Sequence, residues 1–92
     1  MEYKILLSKT ALSQLNALDS KLQTRIKDAI RLLKENPFLA RPGADIKKLK
    51  SLDDPKLYRL RIGDYRIIYF IINDEIKITE IFHRKKGYKW LN

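Results

Sequence analysis

The run Leu57-Tyr58-Arg59-Leu60-Arg61-Ile62-Gly63-Asp64-Tyr65-Arg66-Ile67-Ile68-Tyr69-Phe70-Ile71-Ile72 decides the fold. Its first half alternates apolar and cationic side chains, the period of a strand with one buried face. Gly63-Asp64 interrupts it, and glycine at the first of two loop positions suits a type II′ hairpin turn. That turn sets a register in which Ile62 pairs with Tyr65, Arg61 with Arg66, Leu60 with Ile67 and Arg59 with Ile68. Side chains alternate across a strand, so Leu60, Ile62, Tyr65 and Ile67 share one face and Arg59, Arg61 and Arg66 the other. Like charges directly opposite each other cost stability. A sheet that tolerates them points to an anion bound on that face; the plainer reading is a solvated arginine face softened by Asp64 or Glu80.

Downstream, Asn73-Asp74-Glu75 makes the next turn and Ile76 to Arg84 reads as a third strand of the meander. Lys85 to Asn92 is a short basic, aromatic tail. Upstream, Phe38 to Lys56 reads as a connector carrying Pro42-Gly43, Pro55 and the run Lys47-Lys48-Leu49-Lys50, pinned to the body by Leu49 and Leu52. Before it, Leu22, Ile26, Ala29, Ile30 and Leu33 line one face of a helix. That helix starts at Ser20, where Ser20-Lys21-Leu22-Gln23 fits a capping box, and stops at Asn36-Pro37. A shorter helix is capped by Ser8 and carries Leu12, Leu15 and Leu18 as its apolar stripe. Tyr3 to Leu7 reads as an opening strand. The expected architecture is α+β: an N-terminal strand, a helical hairpin, then a three-strand antiparallel meander forming one sheet with the helices packed on one face. Residues 1–92 are expected to make a single domain.

Composition narrows the function. Twenty Lys and Arg against eleven Asp and Glu give +9, which favours a polyanion or an acidic protein as partner. There is no cysteine and a single histidine, which excludes disulfides and makes a metal centre built on imidazole or thiolate a poor fit. No metal or cofactor is expected. No apolar run approaches the ~20 residues of a membrane span, and Met1 to Leu7 lacks the layout of a signal peptide. A cytoplasmic protein is therefore expected.

A second constellation, Ile81-Phe82-His83-Arg84-Lys85-Lys86-Gly87-Tyr88, ends the last strand. Guanidinium forks grip phosphate oxygens in planar geometry, and a tyrosine ring stacks on an unpaired base. RNA cleavage without a metal needs the 2′-hydroxyl deprotonated, the phosphorane charge neutralised and the 5′-oxygen protonated. Arginines serve the middle requirement. Lys47, Lys48, Lys50, Lys85 and Lys86 are candidates for RNA contact, with a solvated basic surface as the plainer reading.

The stretch from Leu57 to Tyr69 closely resembles the central hairpin of RelE/ParE toxins, and Ile81 to Tyr88 resembles the histidine-arginine…tyrosine end of the RelE branch. The helical hairpin and the Leu49 region match in order and length, so the resemblance spans nearly the whole chain. It implies a toxin of a type II toxin–antitoxin system that cleaves mRNA in the ribosomal A site without a metal and inhibits translation. It also implies an acidic, RelB-like antitoxin and a toxin–antitoxin hetero-oligomer. On that resemblance Arg59 and Arg61 face the scissile phosphate, Arg66 stabilises the transition state, Arg84 assists the leaving 5′-oxygen, and Tyr88 stacks on or orients the RNA. The family often places lysines where this chain has Arg59 and Arg61, and arginine is a poor proton acceptor. His83 becomes the candidate general base, with burial against Trp90 or the helices as the alternative. Gly87 stands where an apolar residue usually precedes the tyrosine. Two other functions stay open: a ParE-like poison of DNA gyrase, disfavoured by Arg84 with Tyr88, and a non-catalytic module binding nucleic acid or the ribosome.

Overall fold

The computed structural model describes residues 2–49 and 56–86. The order is β1 (Lys4–Leu7), α1 (Lys9–Asn16), α2 (Ser20–Leu33), β2 (Asp45–Lys48), β3 (Tyr58–Ile62), β4 (Tyr65–Ile72), β5 (Glu75–His83) and a 3₁₀ turn, Arg84–Lys86. The strands form one sheet in the order β1-β5-β4-β3-β2. β1 runs parallel to β5, and the other neighbours are antiparallel.

The expected meander is present with the register read from the turn: Ile62 opposite Tyr65, Arg61 opposite Arg66, Leu60 opposite Ile67 and Arg59 opposite Ile68. Gly63 has φ +56, whereas Asp64 keeps a negative φ, as a type II′ turn requires. The second turn is two residues, Asn73-Asp74, with Asn73 at φ 56; Glu75 already pairs with Ile72. A bulge between Ile68 and Tyr69 shifts the β4–β5 register, leaving Thr79 as the extra residue.

The sheet has five strands, not four. The connector from Phe38 to Lys56 contains β2, which pairs along β3 from Asp45↔Arg61 to Lys48↔Tyr58. A tight turn at Pro42-Gly43, with Gly43 at φ 86, leads into it, closed by mutual backbone hydrogen bonds between Arg41 and Ala44. β2 has one buried apolar residue, Ile46, among charged neighbours, so its period is too short to stand out. Arg41 secures the same segment by donating to the carbonyls of Leu32, Asn36 and Leu39, satisfying a carbonyl that the end of α2 leaves open.

Both helix starts follow from their caps. Ser8 Oγ accepts from the Ala11 N–H and donates to the Thr79 carbonyl, which ties α1 to β5. The cap of α2 is Asp19, whose carboxylate accepts from the Leu22 N–H. The capping box expected at Ser20 does not form, because Asp19 takes that role one residue earlier and Gln23 donates to the Asn16 and Leu18 carbonyls.

The core lies on one face of the sheet. Ala11 and Leu15 of α1 and Ile26, Ile30 and Leu33 of α2 pack with Leu60, Ile62, Ile67, Tyr69, Ile76, Ile78 and Ile81. Leu12, expected in the stripe of α1, is 49% exposed; Ala11 takes the inward position instead. Leu49 is half-buried, while Leu52, Pro55 and the tail from Gly87 lie outside the described residues.

Candidate active site

The arginine face comes directly from the register. Arg61 and Arg66 stand opposite each other, and Arg59 follows two residues along β3 on the same side. The floor between them is apolar: Ile68 and Phe82 are buried and lie opposite Arg59 and Arg66 respectively, away from the helix-side core. Arg84 joins from the 3₁₀ turn that follows β5. Partial burial and the charges of Arg59, Arg61 and Arg84 lower the Arg66 pKa from its ordinary value, and Asp45 partly offsets them. The four cations therefore form one electrostatic cluster with Arg66 at its centre.

Among the described residues the acidic neighbours are few. Asp45, on β2 opposite Arg61, places one carboxylate oxygen 3.3 Å from an Arg59 Nη and the other 3.9 Å from Arg61 Nε. Arg59 Nε is buried without a hydrogen-bond partner among the described residues. Among the described residues Arg66 has no carboxylate within ion-pair distance, and its guanidinium donates to the Gly63 and Tyr65 carbonyls, at 3.4 and 3.3 Å. Asp64 lies 3.4 Å from Arg84 Nε. Gln14 donates to Glu80 at 3.0 Å. Asp45 is the residue the sequence reading missed. It falls on the arginine face only because β2 pairs with β3, and the signal for that was the Pro42-Gly43 turn.

His83 is placed elsewhere. It pairs with Tyr65 across β4–β5 and meets that ring edge-on at 5.2 Å on the helix side of the sheet. It helps line a concavity of about 270 Å³ with Gln14, Leu18 and Lys86. The imidazole is thus separated by the sheet from Arg59, Arg61 and Arg66, and the geometry does not bring it to them as a base. Its Nδ1 accepts the Lys85 N–H, and its Nε2 faces Asp64 at 3.9 Å.

Among the lysines, Lys47 pairs with Arg59 and extends the cationic face, whereas Lys48 alternates to the other side. There Lys56 lowers the Lys48 pKa, chiefly through a side-chain hydrogen bond and then through its charge. Lys85 and Lys86 are exposed in the 3₁₀ turn. Lys50 and Tyr88 lie outside the described residues. On the far side of the hairpin turn, Arg25 of α2 packs over Gly63, 3.2 Å from where a Cβ would stand.

A small α+β domain with a cluster of guanidiniums on the face of its sheet opposite the helices is the class of protein defined here. The sequence matches the family described as the ParE toxin of type II toxin–antitoxin system, parDE, over residues 5–88. It is 34% identical to the putative toxin RelE1 of Methanocaldococcus jannaschii over 91 residues, 97% of this chain and 98% of that protein. The archaeal RelE–RelB complex from Pyrococcus horikoshii OT3 contains a chain with a TM-score of 0.78 and 30% identity, covering 95% of this chain and all of that one. The RelB–RelE antitoxin–toxin complex from Methanococcus jannaschii gives 0.72 at 30% identity, covering 95% and 99%. The chain belongs to the RelE/ParE toxins of type II toxin–antitoxin systems.

Proposed function

We propose that this toxin is a RelE-like, ribosome-dependent endoribonuclease that cuts mRNA in the A site and so inhibits translation in the cytoplasm. One observation carries the reading. Arg61 and Arg66 face each other across β3–β4 beside Arg59 and Arg84, and Arg66 has no carboxylate partner among the described residues. Such an arrangement destabilises the free protein and becomes favourable when a phosphate sits among the guanidiniums.

In the reaction, the 2′-hydroxyl gives up its proton to solvent as its oxygen attacks the adjacent phosphorus in line, and the bond to the 5′-oxygen breaks, that oxygen taking up a proton as it leaves. Negative charge accumulates on the non-bridging oxygens, where Arg61 and Arg66 lie nearest to each other. Preorganised cations at that point lower the barrier because they need no rearrangement as the charge develops. Arg59 and Lys47 continue the cationic track along β2–β3 for the flanking backbone. Arg84 approaches from the β5 end and is assigned to the leaving 5′-oxygen, and Tyr88 to stacking on a base. Lys48, Lys50, Lys85 and Lys86 contribute to RNA and ribosome affinity through charge alone. The partner that neutralises the toxin is an acidic RelB-like antitoxin, in a hetero-oligomer; two archaeal relatives of known structure are held in RelE–RelB complexes.

The test is expression in cells with mapping of mRNA 5′ ends, with and without the neighbouring reading frame. New ends in translated regions, phased to codons and abolished by the neighbour, are expected. Intact mRNA with double-strand breaks in DNA would instead place the protein with the gyrase poisons.

A further inference from the structure

The hairpin turn that sets the register also touches the chemistry from both ends. Arg66, just after it, donates to the Gly63 and Tyr65 carbonyls. Asp64, within it, makes three contacts to β5 and the turn that follows. Its main-chain carbonyl accepts the Arg84 N–H at 2.7 Å. One carboxylate oxygen lies 3.4 Å from Arg84 Nε, and the other lies 3.9 Å from His83 Nε2. The His83 ring is itself oriented: Nδ1 accepts the Lys85 N–H at 3.1 Å, which turns Nε2 toward Asp64. The edge-on contact with Tyr65 holds the ring plane.

We infer that Asp64 is the positioning residue of Arg84, holding its guanidinium through an ion pair at Nε, with the His83 imidazole standing against the same carboxylate from the helix side of the sheet. The inference rests on the ribonuclease reading for its catalytic consequence, though not for the contact itself. The Asp64 and Arg84 side chains are both more than half exposed, and such a pair adds little to stability. Its effect is on orientation. Arg84 sits in a three-residue 3₁₀ turn, beyond the last sheet pairing at His83, so the ladder that fixes Arg59, Arg61 and Arg66 does not reach it. A main-chain hydrogen bond fixes where its side chain begins. The carboxylate takes the Nε edge and leaves Nη1 and Nη2 without partners among the described residues. A guanidinium held at Nε keeps two parallel donors for one phosphate. His83 thereby acquires a role that does not require it on the arginine face.

The substitution is Asp64→Asn, which keeps the shape and the main-chain carbonyl but removes the charge. Two measurements on the full chain separate the inference from the reading it rests on. The first is ¹⁵N relaxation of the Arg84 Nε–H, which needs no activity. Asp64→Asn should lower its order parameter while the Arg66 Nε–H stays as in the wild type. The second is single-turnover cleavage of ribosome-bound mRNA. Asp64→Asn should slow the maximal rate roughly tenfold, the scale of losing a residue that orients an active group, with the half-saturating concentration unchanged. In an Arg84→Ala background it should slow the rate no further, because the group it positions is gone. An Arg84 side chain as ordered in Asp64→Asn as in the wild type overturns the inference. So does an Asp64→Asn defect of equal size in both backgrounds, which would mark Asp64 as merely part of the turn. A wild-type protein that cuts no RNA removes the ribonuclease reading and leaves the relaxation measurement to decide the role of Asp64.

Discussion

Replacing Arg66 with glutamine should make the free protein more stable and destroy its activity. The charge at Arg66 faces Arg61 directly, with Arg59 and Arg84 nearby and, among the described residues, Asp45 in opposition. Two unit charges ~6 Å apart in water repel by roughly 0.7 kcal/mol before screening, and a Debye length of ~10 Å at 0.1 M salt reduces that by about half. Three such neighbours less one carboxylate leave a net gain of roughly 0.3–1 kcal/mol on removing the charge, in line with the cost of opposed like charges in a sheet. Glutamine keeps the stem over Phe82 and an N–H donor for the turn carbonyls, so little else changes. For a chain of this size the gain corresponds to a rise in Tm of roughly 2–6 °C. Thermal unfolding in 50 mM and 1 M salt is the assay, and the difference between variant and wild type should shrink in 1 M salt. The sign with pH follows from the lowered Arg66 pKa. The folded state disfavours the charged form, so the gain is present below the folded-state pKa and is lost as pH rises through it. A variant less stable than the wild type by an amount indifferent to salt would refute the reasoning and make Arg66 a structural residue.

Three further outcomes follow from particular contacts. Tyr69→Phe removes a buried hydroxyl that donates to the Pro37 carbonyl at 2.7 Å and should cost about 1–3 kcal/mol. Burial raises the Tyr69 pKa, so wild-type stability is full below the unfolded value of about 10 and falls as pH rises past it; urea titrations should show that part of the alkaline loss missing in the variant. Gly63→Ala places a side chain at φ +56 and should cost about 1–2 kcal/mol in chemical denaturation, whereas asparagine there should cost less. Asp45→Asn frees Arg59 and Arg61 from their shared counter-ion and should tighten RNA binding with a steeper salt dependence, read by fluorescence anisotropy in a salt series.

Much of the site was legible because one turn controlled it. Two residues with glycine first admit one pairing, and that pairing put Arg59, Arg61 and Arg66 on one face before any contact was known. Alternation from the Asn73-Asp74 turn alone would put His83 on the same face as the arginines; the bulge at Ile68/Tyr69 shifts the register by one, pairs His83 with Tyr65 and turns it to the other side. What escaped the sequence was set at longer range. The four-residue β2 has a single inward apolar side chain, so the counter-ion Asp45 read as part of a loop. The parallel pairing of β1 with β5 joins segments near opposite ends of the chain and leaves no local trace. The bulge at Ile68/Tyr69 adds Thr79 to β5 without interrupting its apolar character. At α2 two adjacent residues could each cap the helix, and local chemistry alone did not choose Asp19 over Ser20.

The chemistry of the cut ends tests the central claim most directly. Purified toxin is incubated with programmed ribosomes in the presence of EDTA concentrations that leave the ribosome assembled, and the mRNA fragments are analysed at both ends. Attack by the 2′-oxygen under arginine stabilisation predicts a 2′,3′-cyclic phosphate upstream and a 5′-hydroxyl downstream, with Arg66→Ala slower by about 10²–10³. Fragments bearing 5′-phosphates, or a rate unchanged in Arg66→Ala, would contradict the account.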